Sequence, residues 1–291
     1  MADTSPADLR RILDLGAAVK ADPEAYRGIL AGRSIGLFFQ KQSLRTWVSC
    51  DVAAIQLGIH PIVIRNDQTG LGTRETPADV GRVLERYIDL LGMRVFDHSD
   101  LSAIDEVTSI PVVNLLSDRE HPCQAVADLM TLAEHRRVEE SRIAYLGDGN
   151  NVCHSLMLAT VMAGGSIRIA TPPGYEPDVE FLELAARHGS VEVGNDPMAA
   201  ADGADAVYTD VWASMGQEEE AALRRRHFAE FQVDDRVMAA AGPDAIFLHC
   251  LPAHRGEEVT DEVMESARSR VFDQAENRLH AFKAILLHLL G

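Results

Sequence analysis

The stretch SIGLFFQKQSLRTW (34–47) joins a short apolar run to a polar loop that leads into a helical pattern. The run has the composition of a buried strand, and it ends where the polar residues begin. Similar runs recur along the chain with amphipathic stretches between them. We predict eight strands, at SIGLFF (34–39), PIVIR (61–65), MRVF (93–96), PVVN (111–114), RIAYL (142–146), SIRIA (166–170), AVYT (206–209) and IFLH (246–249).

The alternation of strands and helices indicates the fold class. Consecutive parallel strands need a crossover, usually a helix, so the pattern predicts parallel sheets with helices on both faces. Between the two groups of strands lies HPCQAVADLMTLAEHRRVEE (121–140), which has helical spacing and a proline suited to the first turn. The final stretch, ENRLHAFKAILLHLLG (276–291), predicts another helix with a long apolar face. We therefore expect an α/β protein with two doubly wound parallel-sheet domains joined by crossing helices.

Composition excludes several classes of protein. The 291 residues are 46% apolar and 25% charged, the balance of a globular protein large enough for two domains. The net charge of −18 argues against a nucleic-acid partner, which clustered Lys and Arg would favour. Neither a membrane-spanning run nor a signal-peptide pattern is recognisable, so we expect a cytoplasmic protein with no membrane partner. The four cysteines are scattered, which favours reduced thiols.

Polar residues concentrate where predicted strands lead into helices, which is where ligands of open α/β sheets bind. In QKQSLRTW (40–47), Ser43, Arg45 and Thr46 offer hydroxyls, a guanidinium and loop amides that suit an oxyanion or a phosphate. A simple helix cap at Ser43 explains the same residues. In HPCQ (121–124), the histidine and the glutamine one turn later either face a cleft or cap a helix.

Two glycine- and histidine-rich segments suggest other ligands. GDGNNVCHS (147–155) has the pattern G-x-G-x-x-V and no acidic residue at the end of the next strand, so a dinucleotide site is disfavoured. HCLPAHRGEEVT (249–260) contains two histidines and a cysteine, but a matching ligand pair for zinc is missing. TDVWASMGQEEE (209–220) follows a strand and also fits an acidic surface loop. We expect no metal and no cofactor.

In their order and spacing, these segments resemble the ornithine carbamoyltransferases from about Leu30 to the C-terminal helix. The motifs are FFQKQSLRT, HPCQ, GDGNNVCHS, DVWASMGQE, HCLPAHRGEEV and AENRLH. Ser-Met-Gly-Gln-Glu and His-Cys-Leu-Pro separate the ornithine enzymes from the aspartate carbamoyltransferases. The resemblance implies transfer of the carbamoyl group of carbamoyl phosphate to the side-chain amine of L-ornithine, giving citrulline and phosphate. It also implies a homotrimer or a multiple of it.

The resemblance assigns domains and site residues. Residues 1–125, completed by 274–291, would bind carbamoyl phosphate, and residues 126–273 would bind ornithine. The carbamoyl phosphate residues would be Ser43, Leu44, Arg45, Thr46, Arg94, His121, Gln124 and Arg278. The ornithine residues would be Asn151, Asp210, Ser214, Met215, Cys250 and Leu251. Of these, Arg94, His121, Cys250 and Arg278 would be catalytic.

The chain departs from the family pattern mainly in the first domain. Gln42, Leu44 and Trp47 stand where the phosphate loop has Pro, Thr and Arg, and relatives acting on acylated ornithines carry Leu or Met in place of that Thr. Gly70 stands where many ornithine enzymes have a Gln donated to a neighbouring subunit. These changes leave open a specialised paralogue that uses an ornithine analogue or resists a carbamoyl phosphate mimic. A non-catalytic binding relative and a dinucleotide-dependent oxidoreductase are two further hypotheses.

Overall fold

A computed structural model of the protein describes residues 1–213 and 220–291, apart from the side chains of Gln68 and Thr69. The chain forms two compact units. The first unit comprises Arg10–Val126 and Arg278–Gly291, and the second unit comprises Met1–Leu9 and Ala127–Asn277. No helix in the described part of the chain is long and apolar enough to cross a membrane.

Three helices contribute residues to both units, because the chain passes from one unit to the other inside them. They are α1 (Pro6–Ala21), α6 (Pro122–Ala133) and α13 (Val271–Leu290). The predicted crossing helices are therefore confirmed.

The first unit contains a four-stranded, wholly parallel sheet with the order β2-β1-β3-β4. Its strands are β1 (Ser34–Phe39), β2 (His60–Arg65), β3 (Leu90–Arg94) and β4 (Val112–Leu116). Its remaining helices are α2 (Leu44–Gln56), α3 (Asn66–Thr69), α4 (Pro77–Leu84) and α5 (His98–Asp105). Phe38, Leu91 and Met93 from the two central strands pack in one core cluster with Leu101 and Ile104 of α5.

The second unit contains a five-stranded parallel sheet with the order β7-β6-β5-β8-β9. Its strands are β5 (Arg142–Leu146), β6 (Ser166–Ala170), β7 (Val191–Gly194), β8 (Ala206–Thr209) and β9 (Ile246–His249). The longest helix wholly within this unit is α7 (Asn151–Met162), buried from its second residue to its last. The others are α8 (Val179–Ala186), α9 (Pro197–Ala201), α10 (Ala221–His227), α11 (Asp235–Ala240) and α12 (Asp261–Met264).

The predicted fold class is confirmed, since both sheets are parallel and carry helices between their strands. Three local predictions were wrong. The third strand runs over Leu90–Arg94 rather than 93–96, because the buried stretch before Arg94 belongs to it and Phe96 is exposed. Strand β7 was missed, since it is a short edge strand whose last three residues are exposed. Helix α6 ends at Ala133 instead of continuing to 140, because the apolar pattern stops there.

Strand register brings the predicted site segments of each unit to the same end of its sheet. In the first unit Phe39 pairs with Arg94, so the loop after β1 begins beside the end of β3. In the second unit Thr209 pairs with both Leu146 and His249, so β5, β8 and β9 end at one level. The residues that follow these strands therefore lie next to one another, as expected at the carboxyl edge of a parallel sheet.

Candidate active site

The loop 40–43 leads into α2 through a capped helix start. Ser43 has an extended backbone, and its Oγ accepts a hydrogen bond from the amide of Thr46 at 3.3 Å. The Ser43 hydroxyl donates to Thr46 Oγ1 at 3.0 Å. The predicted cap is thus formed, and a capped helix N-terminus is also an anion-binding geometry. Leu44 and Arg45 at this start are exposed, whereas Thr46 is buried.

Five of the predicted carbamoyl phosphate residues are buried in the first unit. Four of them lie on helices or strands and one directly precedes α6, and they are Thr46, Arg94, Gln124, Arg278 and His121. Arg278 of α13 donates from Nη2 to Thr46 Oγ1 of α2 at 3.5 Å. Its other terminal nitrogen, Nη1, is buried and makes no hydrogen bond to any described residue. Arg278 therefore has a donor available for an anion.

His121 lies in a cationic environment at the start of α6. Burial lowers its pKa well below the usual value, and the positive charges of Arg278 and Arg94 lower it further. The imidazole is therefore neutral near pH 7, with one ring N–H to donate. A neutral donor flanked by two guanidinium groups suits an oxygen atom that develops negative charge.

The departures from the family pattern line a cleft beside this loop. The cleft has a volume of about 580 Å³, and its walls include Ser43, Leu44, Trp47 and Arg65. The indole of Trp47 is 39% exposed, and the Arg65 guanidinium lies over it at 5.5 Å from the ring centroid. Trp47 thus stands where the family has an arginine, and the guanidinium of Arg65 packs over its ring.

Gly70 adopts a conformation that other residues avoid. Its φ is +64°, and a Cβ atom there would lie 2.9 Å from Cβ of Arg74. A glutamine at this position would therefore be strained unless the loop changed shape.

In the second unit, two of the predicted ornithine residues, Asp210 and Cys250, are in contact. Asp210 follows β8 and is buried. Its Oδ1 accepts from the Cys250 thiol at 3.0 Å, and its Oδ2 accepts from Asn150 Nδ2 at 2.9 Å. Asn151 follows Asn150 as the first residue of α7, and it is half-buried. The structure therefore brings Asp210 and Cys250 together, while Ser214 and Met215 lie outside the described residues.

The turn after β9 holds Leu251 in an unusual conformation. Leu251 has φ +58°, and the peptide bond to Pro252 is cis. Its amide donates to His249 Nδ1 at 2.9 Å.

One group of side chains in the described part of the chain has donor atoms close enough to hold a metal ion. Ligand atoms of Asp210, His249 and Cys250 lie within 4.8 Å of one another. Both ring nitrogens of His249 are already engaged, by the Leu251 amide and by Glu258. The Cys250 thiol is engaged by Asp210. In this arrangement all three side chains are already hydrogen-bonded to other protein groups.

Two residues that hold the loops around Asp210 were not predicted from the sequence. Asn150 caps α7, its Oδ1 accepting from the amides of Val152 and Cys153, while its Nδ2 donates to Asp210. Arg224 of α10 is buried and donates to Asp148 Oδ2 at 2.8 Å and to the Trp212 carbonyl at 2.9 Å. The Asn in GDGNN was recognisable as a helix cap. Arg224 stands among three consecutive arginines, and nothing in the sequence distinguishes it from the other two.

Two family models together match nearly the whole chain. One, described as the carbamoyl-P binding domain of aspartate/ornithine carbamoyltransferase, matches residues 1–134. The other, described as the Asp/Orn binding domain of the same family, matches residues 139–289. The chain belongs to the aspartate/ornithine carbamoyltransferase family.

Relatives within this carbamoyltransferase family are similar over nearly their whole length. The ornithine carbamoyltransferase of Acidothermus cellulolyticus is 48% identical over 99% of this chain and 94% of its own. The solved structure of ornithine carbamoyltransferase from Pyrococcus furiosus matches with a TM-score of 0.96 at 45% identity, covering 100% of this chain and 95% of its own. An acetylornithine transcarbamylase complexed with acetylcitrulline matches with a TM-score of 0.89 at 32% identity, covering 100% and 98%. The resemblance stated from the motifs is confirmed.

Proposed function

We propose that the protein transfers the carbamoyl group of carbamoyl phosphate to the side-chain amine of L-ornithine, giving L-citrulline and phosphate. The observation that carries this proposal is the buried cluster of Arg94, His121 and Arg278 beside Thr46 in the first unit. Such a cluster suits a small dianion with a polarisable carbonyl, because guanidinium groups form charge-assisted hydrogen bonds to phosphate. The similarity of the chain to ornithine carbamoyltransferases supports ornithine as the acceptor.

The first unit would hold carbamoyl phosphate. Its phosphate would be bound by Ser43, Arg45 and Thr46 with the amide of Leu44. Arg94 would contact both the phosphate and the carbamoyl oxygen, and Arg278 would close the same pocket. His121 and Thr46 would donate to that oxygen, and Gln124 would accept from the carbamoyl nitrogen. Arg45 is exposed in this structure, so its long side chain is available to a ligand at the helix start.

The second unit would hold ornithine by its α-amino and α-carboxylate groups. Asp210 offers the negative charge that an α-ammonium group needs, with Asn151, Ser214 and Met215 as its partners in binding. The carbonyls of Cys250 and Leu251 would accept hydrogen bonds from the reacting amine.

The reaction then needs a neutral amine, since an unperturbed alkylammonium has a pKa of about 10.4. In the reacting complex, the guanidinium groups that bind carbamoyl phosphate would favour the neutral form of that amine by charge repulsion. The amine nitrogen forms a bond to the carbamoyl carbon, and negative charge grows on the carbamoyl oxygen beside His121 and Arg94. The bond from carbon to the phosphate oxygen breaks with its electron pair, and the departing phosphate takes up a proton. Much of the rate would come from holding the two substrates in position.

We also propose that the working enzyme is a cytoplasmic homotrimer or a multiple of it. Three apolar side chains on one face of α2 support this assembly. Leu44, Val48 and Ile55 are exposed at 72%, 49% and 58%, which is unusual for a stripe of large apolar residues. Sedimentation equilibrium tests the proposal, which expects a mass that is a multiple of three chains of 31.8 kDa. A monomer or dimer at micromolar concentration would contradict it.

The acceptor is tested with purified protein, carbamoyl phosphate and a panel of amines. The panel contains ornithine, Nα-acetylornithine, putrescine and aspartate, and both ureido product and phosphate are measured. We expect ornithine to be the best substrate and putrescine, which lacks the α-groups that Asp210 would bind, to be much poorer. A preparation of Arg278→Met made in the same way controls for contaminating host enzyme.

Other results of the panel favour other functions. Preference for acetylornithine would favour the specialised paralogue, for which Leu44 in the phosphate loop is the motivation. Binding of carbamoyl phosphate without turnover of any amine would favour a non-catalytic relative. Equal turnover of putrescine and ornithine would contradict the assigned role of Asp210.

A further inference from the structure

A histidine and a glutamate are buried together behind the turn that follows β9. His249 and Glu258 are both fully buried, and His249 Nε2 lies 3.2 Å from Glu258 Oε1. Neither residue was assigned a role among the predicted substrate contacts. Fully buried carboxylate and imidazole groups are uncommon unless they are hydrogen-bonded.

The hydrogen bonds around His249 fix the position of its proton. The Leu251 amide donates to Nδ1 at 2.9 Å, so Nδ1 must carry a lone pair. The proton of the neutral ring is then on Nε2, which donates to Glu258 Oε1. Glu258 thus selects the tautomer that accepts from Leu251, as the partner of a histidine commonly does.

Both partners hold the turn from Cys250 to His254. Leu251 has a φ of +58°, a backbone conformation that is energetically costly for a residue with a side chain. His249 stabilises this conformation because its Nδ1 accepts a hydrogen bond from the Leu251 amide. Glu258 Oε1 also accepts from the amide of His254 at 2.5 Å, so one carboxylate oxygen is connected to both ends of the turn.

The turn adjoins Asp210 and contains a backbone acceptor. The thiol of its first residue, Cys250, donates a hydrogen bond to Asp210 Oδ1. Among the residues that the structure describes, none donates a hydrogen bond to the carbonyl of Leu251. The conformation that His249 and Glu258 stabilise therefore leaves a backbone acceptor available.

We propose that His249 and Glu258 are positioning residues for the acceptor amine. They hold Leu251 in its left-handed conformation, and so they aim the carbonyls of Cys250 and Leu251 at the amine that attacks the carbamoyl carbon. The inference rests on the proposed function. It assigns to the histidine of His-Cys-Leu-Pro a role in catalysis that requires neither its charge nor contact with substrate.

Two matched pairs of variants test it. His249→Asn retains an oxygen near Nδ1 that accepts from Leu251, whereas His249→Gln places its polar group toward Glu258 and loses that acceptor. Glu258→Gln retains an acceptor for His249, whereas Glu258→Met does not. For each variant we would measure kcat and KM for ornithine, the Kd of carbamoyl phosphate and the melting temperature.

The expected result is a difference within each pair. The Asn variant should exceed the Gln variant at position 249 by about tenfold in kcat/KM for ornithine, the effect of one hydrogen bond. The Gln variant at 258 should exceed the Met variant in the same way. The Kd of carbamoyl phosphate should stay within about twofold throughout, because that ligand is assigned to the other unit.

Equal activity within both pairs, or losses that follow the melting temperature alone, would overturn the proposal. If one variant fails to fold, the pair at the other position gives the same comparison. Failure of the proposed function is distinguishable, because the wild-type protein would then form no citrulline at all. An active wild type with no difference within either pair rejects only the positioning role.

Discussion

The Sγ atom of Cys250 lies 3.0 Å from Oδ1 of Asp210, although the two residues are 40 positions apart in the chain. The contact follows from the sheet, since the strands that precede them are neighbours and Thr209 pairs with His249. Asn150 donates to the other oxygen of the same carboxylate. Asp210 is thus a buried carboxyl group held in a fixed orientation by two donors.

Asp210→Asn is expected to lower kcat/KM for ornithine by about a hundredfold. The substitution removes the charge opposite the α-ammonium group, and a hydrogen bond to a charged group contributes about 1.5–3 kcal/mol. The Kd of carbamoyl phosphate should not change, because its proposed residues lie in the first unit. Steady-state kinetics and calorimetry measure the two effects separately. Ornithine kinetics close to wild type would remove Asp210 from the acceptor site.

Arg45→Ala should lower kcat/KM by at least tenfold and leave the fold intact. Arg45 is exposed, and exposed substitutions usually change stability by no more than about 0.5 kcal/mol. The loss of activity reflects one missing charge-assisted bond to phosphate. Arg11→Ala, which removes another exposed arginine, is the matched control and should retain full activity. Equal activity of the two variants would show that Arg45 does not contact the donor.

Trp47→Arg should weaken stability by about 1 kcal/mol and should not tighten carbamoyl phosphate binding. The wild-type indole carries the Arg65 guanidinium on its face, and a second guanidinium there would replace this cation–π contact by repulsion. Trp47→Phe, which keeps an aromatic face, is the control. Thermal unfolding and calorimetric titration measure both effects. Tighter binding in the Arg variant would show instead that Trp47 marks a missing phosphate-loop charge.

His121→Gln should make the stability of the protein less sensitive to acid. The folded state lowers the pKa of His121, so at low pH the unfolded chain binds a proton that the folded chain does not. This contribution is absent above the usual pKa of about 6.5 and destabilises the wild type as the pH falls below it, by at most about 1.4 kcal/mol per pH unit. Urea unfolding at pH 7.5 and 5.5 compares the two proteins. Parallel losses of stability would contradict the burial of a neutral imidazole.

Strand-helix alternation was sufficient to predict the fold class because each apolar run is short, buried and bounded by polar loops. RIAYL and IFLH occupy the strands predicted for them, Arg142–Leu146 and Ile246–His249. The alternation of apolar runs failed to locate strands in which the residues are exposed or the apolar run is interrupted. Edge strand β7 is largely exposed, and β3 contains Gly92, which interrupts the apolar run.

Candidate site residues were recognisable where they fall in a motif whose proposed chemistry uses the side chain itself. Arg278 and Thr46 fall in two such motifs, and their side chains meet in the first unit. The supporting residues were not predictable, because tertiary structure alone gives them partners. Glu258 stands in an acidic pair in HRGEEVT, and only the fold shows that it is buried against His249 while Glu257 is not.

The proposed reaction joins the carbamoyl carbon to the side-chain nitrogen of ornithine. The most direct measurement is ¹³C NMR of [¹³C]carbamoyl phosphate mixed with ornithine and the purified protein, with phosphate followed by ³¹P NMR. We predict that the label moves to the ureido carbon of citrulline in a one-to-one ratio with released phosphate. We also predict that Arg278→Met, prepared identically, slows this transfer by at least about a hundredfold. Release of phosphate without labelled citrulline, or equal transfer by the variant, would contradict the proposed reaction.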